Sequence, residues 1–304
     1  MGAADMTSEA DRAAPDAVAH PPRPGVSPRQ LLARALRGAS YEVLPFRSTE
    51  EAVVTHVPRE VALTVTTTEA KGLERTLDLA ESLSRHGYGV APHLAARLVR
   101  DKAHLTDVVA RLGEAGVTSA FVIAGDAPEP AGPFPDALSL LEALDALGRP
   151  FRSVGIAGYP EGHARIDDHL IEKALHRKAP HATHVLTQLC FDAATTAGWA
   201  RSVRERGVTL PLRVGVPGVV SRQKLVRISA GLGLGQSARF LAKQQSMFWR
   251  FFLPGGYRPD RLVDRLAPAL GGPLHGLHVF TFNELEKTEA WRRDRIARLA
   301  AEAS

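Results

Sequence analysis

The sequence predicts an α/β fold, a closed barrel of eight parallel strands ringed by helices, and three observations predict it. Eight short runs of branched or small apolar residues recur along the chain, and several end at Gly or Pro. Between most of these runs, apolar residues return at helical spacing. A polar or acidic side chain stands at the end of run after run. An open doubly wound sheet would use fewer strands or a second lobe.

Residues 1–27 are rich in Ala, Asp and Pro and lack the hydrophobic stretch of a secretory signal. They read as a disordered or extended tail, leaving 28–304 as one catalytic domain. A helix over Pro28–Arg37 puts Leu31, Leu32 and Leu36 on one side and ends at Gly38. Strand one, Tyr41–Leu44, carries Glu42 between apolar neighbours and is closed by Pro45. Strand two, Val61–Thr66, runs into Thr67 and Thr68, and the helix Leu73–Arg85 repeats Leu73, Leu77, Ala80 and Leu83. Strand three, Gly89–Leu94, holds His93 near its end, but its Pro92 argues against ordinary central pairing. The helix Ala103–Ala115 shows Leu105, Val108, Val109 and Leu112 on one face and stops at Gly116.

Strand four begins at Phe121 and stops at Gly125, with Asp126 at its carboxyl end and Pro128 beyond. A proline-rich loop and the helix Asp136–Leu147 lead to strand five, Arg152–Gly158, which runs into Tyr159, Pro160, Glu161, Gly162 and His163. An amphipathic helix over Ala164–Lys178 follows. Strand six, His184–Phe191, places Gln188 inside before Asp192 opens the next helix. Strand seven is Leu212–Val216, strand eight Leu277–Phe282, and a last helix starts at Glu284. The segment Ser221–Leu266 is expected to be a helical insertion over the barrel mouth. The whole is a (β/α)8 TIM barrel with an N-terminal extension and an insertion after strand seven.

Composition excludes several classes. With 44% hydrophobic residues the chain can bury a large core, and no apolar run approaches a membrane span. Cys190 is the single cysteine, which rules out an internal disulfide framework and fits a reducing, cytoplasmic compartment; in its apolar run it reads as a buried inert thiol. The formal charge of +5 suits a small anionic substrate, with no zinc-finger spacing and no aromatic-basic signature for nucleic acid. Gly231-Leu-Gly-Leu-Gly235 follows a helical stretch rather than a strand and reads as a helix break, not a dinucleotide fingerprint. No phosphate loop or His-Glu-x-x-His helix is present, and the twelve histidines are scattered, so no metal is expected.

The strand ends are the exception. Glu42, Thr66, His93, Asp126, Tyr159, His163 and Gln188 fall at or just past the carboxyl ends of predicted strands, and a closed barrel gathers them on one rim. Each alone reads as a turn or cap residue; together they crowd an apolar mouth with polar groups, which costs free energy unless they bind something. No serine or cysteine is paired with an obvious base, so proton transfer beside a flat heterocycle is favoured over nucleophilic catalysis.

Tyr41-Glu42 with Pro45, Thr64-Val-Thr66, Ala91-Pro-His93-Leu94, Gly125-Asp126-Ala-Pro128, Gly158-Tyr-Pro-Glu-Gly-His163, Leu186-Thr-Gln188 with Phe191-Asp192, Val216-Pro-Gly218 and Phe280-Thr-Phe-Asn283 resemble, in order, the motifs of methylenetetrahydrofolate reductases. The resemblance covers about residues 39 to 291. It implies reduction of 5,10-methylenetetrahydrofolate to 5-methyltetrahydrofolate with NADH or NADPH, usually through bound FMN. By the same resemblance Glu42 matches the general acid that protonates folate N10, and Asp126 the acid that holds the pterin. Gln188 matches a folate-contacting amide, with Phe191 beside it. Thr66, His93, Tyr159 and His163 match positions that line the flavin.

The chain also departs from the pattern. Ala124 stands where an Arg commonly precedes Gly-Asp, and the flavin-contacting positions of the helix after His163 are Leu170, Lys173 and Arg177. Losing one charged hydrogen bond to a flavin costs about 1.5–3 kcal/mol, which Lys173 and Arg177 would have to offset. The expectation is that FMN binds weakly or not at all and that the nicotinamide passes its hydride directly to the folate. Three rivals remain: a conventional FMN-dependent reductase, a non-catalytic folate- or flavin-binding barrel, and an unrelated barrel enzyme for a phosphorylated substrate. An oligomer is compatible with all of them.

Overall fold

Eight parallel strands close on themselves in chain order, with β8 paired to β1. They are β1 (Ser40–Val43), β2 (Leu63–Val65), β3 (Val90–Ala95), β4 (Ser119–Ile123), β5 (Ser153–Gly158), β6 (His184–Leu189), β7 (Leu212–Pro217) and β8 (Gly276–Phe280). The computed structural model describes residues 25–163, 166–221 and 257–302. Its helices are α1 (Pro28–Arg37), α2 (Thr49–His56), α3 (Glu74–Arg85), α4 (Lys102–Glu114), α5 (Ala137–Ala146), α6 (Asp168–Lys178), α7 (Ala193–Glu205), α8 (Asp260–Leu266) and α9 (Leu285–Ala301). The barrel read from the sequence is the one observed. No helix among the described residues is long and apolar enough to cross a membrane.

Local chemistry explains most element boundaries. Ser27 and Gln30 form a reciprocal capping box at the start of α1, and Asp101, Asp136 and Asp192 each accept a backbone N–H at the start of α4, α5 and α7. The same device shortens α6: the Asp167 side chain accepts from His169 N, so the helix begins at Asp168 rather than Ala164. Helix α2 has no counterpart in the sequence reading, because only Thr49 and Val53 are buried along it and no apolar stripe announces it. The insertion between β7 and β8 falls mainly on residues outside the described ones; within them, α8 packs on α7.

Pro92 sits inside β3 after all. Pairing with β2 ends at Val65↔Pro92 and pairing with β4 begins at His93↔Phe121. The missing N–H thus falls where the strand exchanges one neighbour for the other, the place where a lost ladder bond disrupts least.

Alternation along the strands separates two environments. Tyr41, Val43, Leu63, Val65, Val214, Val216, Leu277 and Val279 face the helices and belong to the main hydrophobic core. The residues between them turn inward and are unusually polar for a barrel, whose interior is commonly filled with branched apolar side chains. His278 lies in this interior, its Nδ1 2.7 Å from Ser40 Oγ and its Nε2 3.4 Å from Thr64 Oγ1. Space for the inward rings comes from glycines on the facing strands. A Cβ at Gly155 would lie 2.7 Å from both His184 Nε2 and Phe121 Cδ2, and one at Gly215 2.5 Å from Phe280 Cε2.

On the outer face, Tyr41 donates to Glu289 Oε2 at 2.7 Å, and Arg292 clasps both oxygens of Glu289 at 2.9 Å. Arg292 also donates to Leu36 O at 3.2 Å. This buried triad ties β1 and the end of α1 to α9.

Candidate active site

Glu42 is the next-to-last residue of β1 and points into the barrel, beside Thr64 of β2 and Phe280 of β8 in register. Burial raises its carboxyl from the usual 4.5 to about 8, and the neighbouring Thr66 hydroxyl, at a geometry short of a hydrogen bond, offsets a little of this. The acid is therefore predominantly protonated at neutral pH. Val43, its neighbour in the chain, faces the helices and lies outside this interior. Phe280, in register on β8, and His93 of β3 are the acid's neighbours there.

His93 of β3 faces the acid, with Nε2 3.7 Å from Glu42 Oε2. Its ring packs on Phe121 with centroids 4.7 Å apart. Burial holds the imidazole down to about 3, so it is neutral too. His93 Nε2, Thr66 Oγ1 and Thr68 Oγ1 are buried and have no hydrogen-bond partner among the described residues. Leaving such groups unpaired costs about 1–3 kcal/mol each, the signature of a surface that a ligand completes. The backbone here is fixed by Thr67, whose hydroxyl donates to His93 O at 2.5 Å, and by Thr76, which donates to Thr66 O at 3.0 Å.

The rim continues around the strand ends. Asp126 follows β4 on an exposed loop and is close enough to Tyr159 for its charge, after burial, to raise the phenol. Gly125, at φ +88°, permits the turn; a Cβ there would lie 3.0 Å from Ala95 Cβ. Tyr159 and His163 meet edge to face at 5.3 Å beyond β5. Gln188 sits at a bulge in β6, with its Oε1 accepting from Leu189 N at 2.8 Å, so the amide N–H2 is the end left to recognise a ligand. Phe191 is buried against Val220 and Tyr257. Arg177 stands apart from these residues. It lies in the last turn of α6, exposed, about 14 Å of helix rise from the end that faces the rim. Leu170 is 54% exposed on the same helix.

Three groups hold the loops around the site in place. The Arg97 guanidinium donates to Ala127 O at 2.6 Å, Pro128 O at 2.5 Å and Pro135 O at 3.0 Å, clamping the loop that carries Asp126. Glu161 Oε1 accepts from Phe191 N at 2.6 Å and Asp192 N at 2.8 Å, fixing the turn after β6. Asn283 accepts from Leu44 N at 2.9 Å and donates to Leu44 O at 3.0 Å and Thr49 Oγ1 at 2.7 Å, which holds the turn after Glu42. Asn283 has φ +56°, a conformation Asn tolerates better than most residues. Asn283→Ala is expected to destabilise the fold by about 2 kcal/mol, with Asn283→Gly losing less because it keeps the backbone relaxed. Urea denaturation of both variants checks the order.

Cys190 is buried, its thiol pushed up to about 12, and it donates to Gln188 O at 3.1 Å; it has no nucleophilic character. Among the described residues, no group of three or more His, Cys, Asp or Glu is arranged to hold a metal.

Comparison with known proteins adds the family context. The profile of the family "Methylenetetrahydrofolate reductase" matches residues 40–234. A probable methylenetetrahydrofolate reductase (NADPH) of Caenorhabditis elegans is 34% identical over 80 residues, a stretch covering 25% of this chain and only 12% of that relative. Among solved structures, an uncharacterized Clostridium thermocellum protein that binds two copies of 5-methyl-5,6,7,8-tetrahydrofolic acid superposes with a TM-score of 0.56 at 11% identity. That match covers 88% of this chain and 99% of the other, and at this identity it is a likeness of fold.

Proposed function

Because the chain belongs to the methylenetetrahydrofolate reductase family, we propose that its strand-end rim reduces 5,10-methylenetetrahydrofolate to 5-methyltetrahydrofolate with NADH or NADPH. The observation that carries this reading is the Glu42 carboxyl, buried at the end of β1 and kept protonated up to about pH 8. Ring opening needs a proton at folate N10, and an acid that is neutral at physiological pH supplies it. The proton leaves Glu42 for N10, the electron pair of the breaking carbon–nitrogen bond stays on N10, and the methylene remains as an iminium on N5. A hydride from the reduced nicotinamide completes the methyl group. Asp126 holds the pterin and balances the cation, while the Gln188 amide and Phe191 orient the ring system. The net reaction consumes one proton, which returns to Glu42 from water after the product leaves.

FMN, the usual relay of the family, fits these residues poorly. Ala124 offers no charge, Leu170 presents an apolar side chain to solvent, and Arg177 lies at the far end of α6. Thr66, His93, Tyr159 and His163 remain to line the flat ring that occupies the mouth, which in this reading is the nicotinamide itself. No step requires a resident flavin.

Anaerobic assay of purified protein with methylenetetrahydrofolate and each nicotinamide, with and without added FMN, tests both levels. Colourless protein, turnover without FMN and intersecting initial-rate lines are expected. Stoichiometric bound flavin with parallel, ping-pong lines would overturn direct transfer. Absence of 5-methyltetrahydrofolate with either nicotinamide, with or without FMN, would overturn the reductase assignment.

A further inference from the structure

The contact between Glu42 and His93 links a carboxylic acid to an imidazole inside a barrel, both uncharged and both shielded from solvent. Two proton arrangements satisfy such a pair. In one, the carboxyl O–H donates to Nε2, which ties up the very proton the reaction needs. In the other, Nε2–H donates to one carboxyl oxygen and the acid proton sits on the other, facing the mouth. The 3.7 Å separation is longer than a hydrogen bond, so neither arrangement is locked in place, and only the second leaves the acid proton free for a substrate. Nε2 has no competing partner among the described residues, and Thr67 holds the His93 backbone so that the ring approaches from a fixed direction.

We propose that His93 is the positioning residue of the general acid, its Nε2–H directed at Glu42 Oε2 so that the transferable proton rides on Oε1. The inference rests on the reductase reading for its catalytic meaning and on geometry alone for the pairing. When the proton passes from Oε1 to the substrate nitrogen, that nitrogen keeps the electrons of the broken bond and Glu42 is left as a buried carboxylate. Nε2–H then shortens onto Oε2 as a charge-assisted bond, roughly twice as strong as a neutral one, and water restores the proton to Oε1 after product release. The imidazole stays neutral throughout. Facing the pair from the other strands are Thr64 and Thr66 of β2 and its end, Phe121 of β4 and Phe280 of β8. Deeper in the barrel lies neutral His278, which in turn feels His184 and Arg213.

The test is the titration of Glu42, read without turnover as the pH dependence of thermal stability in the presence and absence of Glu42→Gln. In His93→Leu the Glu42 midpoint is expected to rise by about one pH unit or more, because the carboxylate has lost its donor. His93→Gln, which keeps an N–H of similar reach, is expected to return the midpoint to within about half a unit of wild type. In folate reduction at saturating nicotinamide, His93→Leu is expected to lower kcat roughly tenfold or more with the KM for methylenetetrahydrofolate changed by less than about threefold, and His93→Gln to recover most of kcat. If His93→Leu does not fold, His93→Asn, too short to reach Oε2, takes its place under the same criteria. An unchanged or lowered midpoint on removing the imidazole would overturn the proposal. A raised midpoint in a protein that reduces no folate would uphold the pairing and sink only the reductase reading.

Discussion

Glu42→Gln is expected to cut folate reduction by about 100-fold or more, the usual contribution of a positioned general acid, and at the same time to make the protein more stable at pH 8. The sign follows from linkage. In the folded chain the carboxyl keeps its proton to about pH 8, whereas unfolded it releases it near the usual 4.5. Its favourable contribution is therefore complete below about pH 4.5 and is lost progressively as pH rises to about 8. That gap corresponds to at most about 5 kcal/mol. Since 15% of the side chain still meets solvent, about 2 kcal/mol is the better expectation, or roughly 4 °C in Tm for a chain of this size. His93 works in the opposite direction. Its folded value of about 3 against the usual 6.5 gives stability that is full above about 6.5 and falls as pH drops toward 3. Between about 4.5 and 6.5 the two cancel, so the wild type should lose stability mainly from pH 6.5 to 8, and Glu42→Gln should flatten that limb. In wild type, kcat should fall tenfold per pH unit above about 8 as the acid ionises. A Gln variant with full activity, or with lower stability at pH 8, would remove Glu42 from its role.

Arg292→Met is expected to have the largest effect on stability of any single change considered. Its guanidinium meets both oxygens of Glu289 at 2.9 Å, and the two side chains are each only 6% exposed. Removing it strands a buried carboxylate beside Tyr41, whose hydroxyl is itself pushed well above its usual range by burial and by that charge. Breaking a buried pair from one side costs about 3–5 kcal/mol. Adding Glu289→Gln removes the orphaned charge while leaving Tyr41 an acceptor, so the double variant should recover about half or more of the loss. Calorimetry of the single and double variants gives the comparison. A single variant losing less than about 1 kcal/mol would mean that water already reaches the triad.

The residues differ in how much of their role local sequence carries. The α1 boundary was legible because Ser27, Pro28 and Gly38 act within a turn of their own positions. Helix α2 was not legible, because its stability comes from packing rather than from an apolar stripe; Asn283, far along the chain, bonds its first residue. Pro92 misled for a related reason. A missing N–H matters only through the strand it would have met, and the register places it at a change of neighbour. The rim residues could be named from strand ends, yet Arg177, taken with them from the family resemblance, lies about two and a half turns along α6 from its first residue.

By itself the sequence determined the order of the eight strands, most of the helices between them, and the set of polar side chains at the carboxyl ends. These are set by periodicity and capping, forces that act over a few residues. Barrel closure decided the rest. It brought His93, 51 positions away in the chain, to 3.7 Å from Glu42 and set Phe280 beside Glu42. A carboxyl keeps its proton at neutral pH when most of its water is removed, and the groups that remove it come from strands that meet only when the sheet closes.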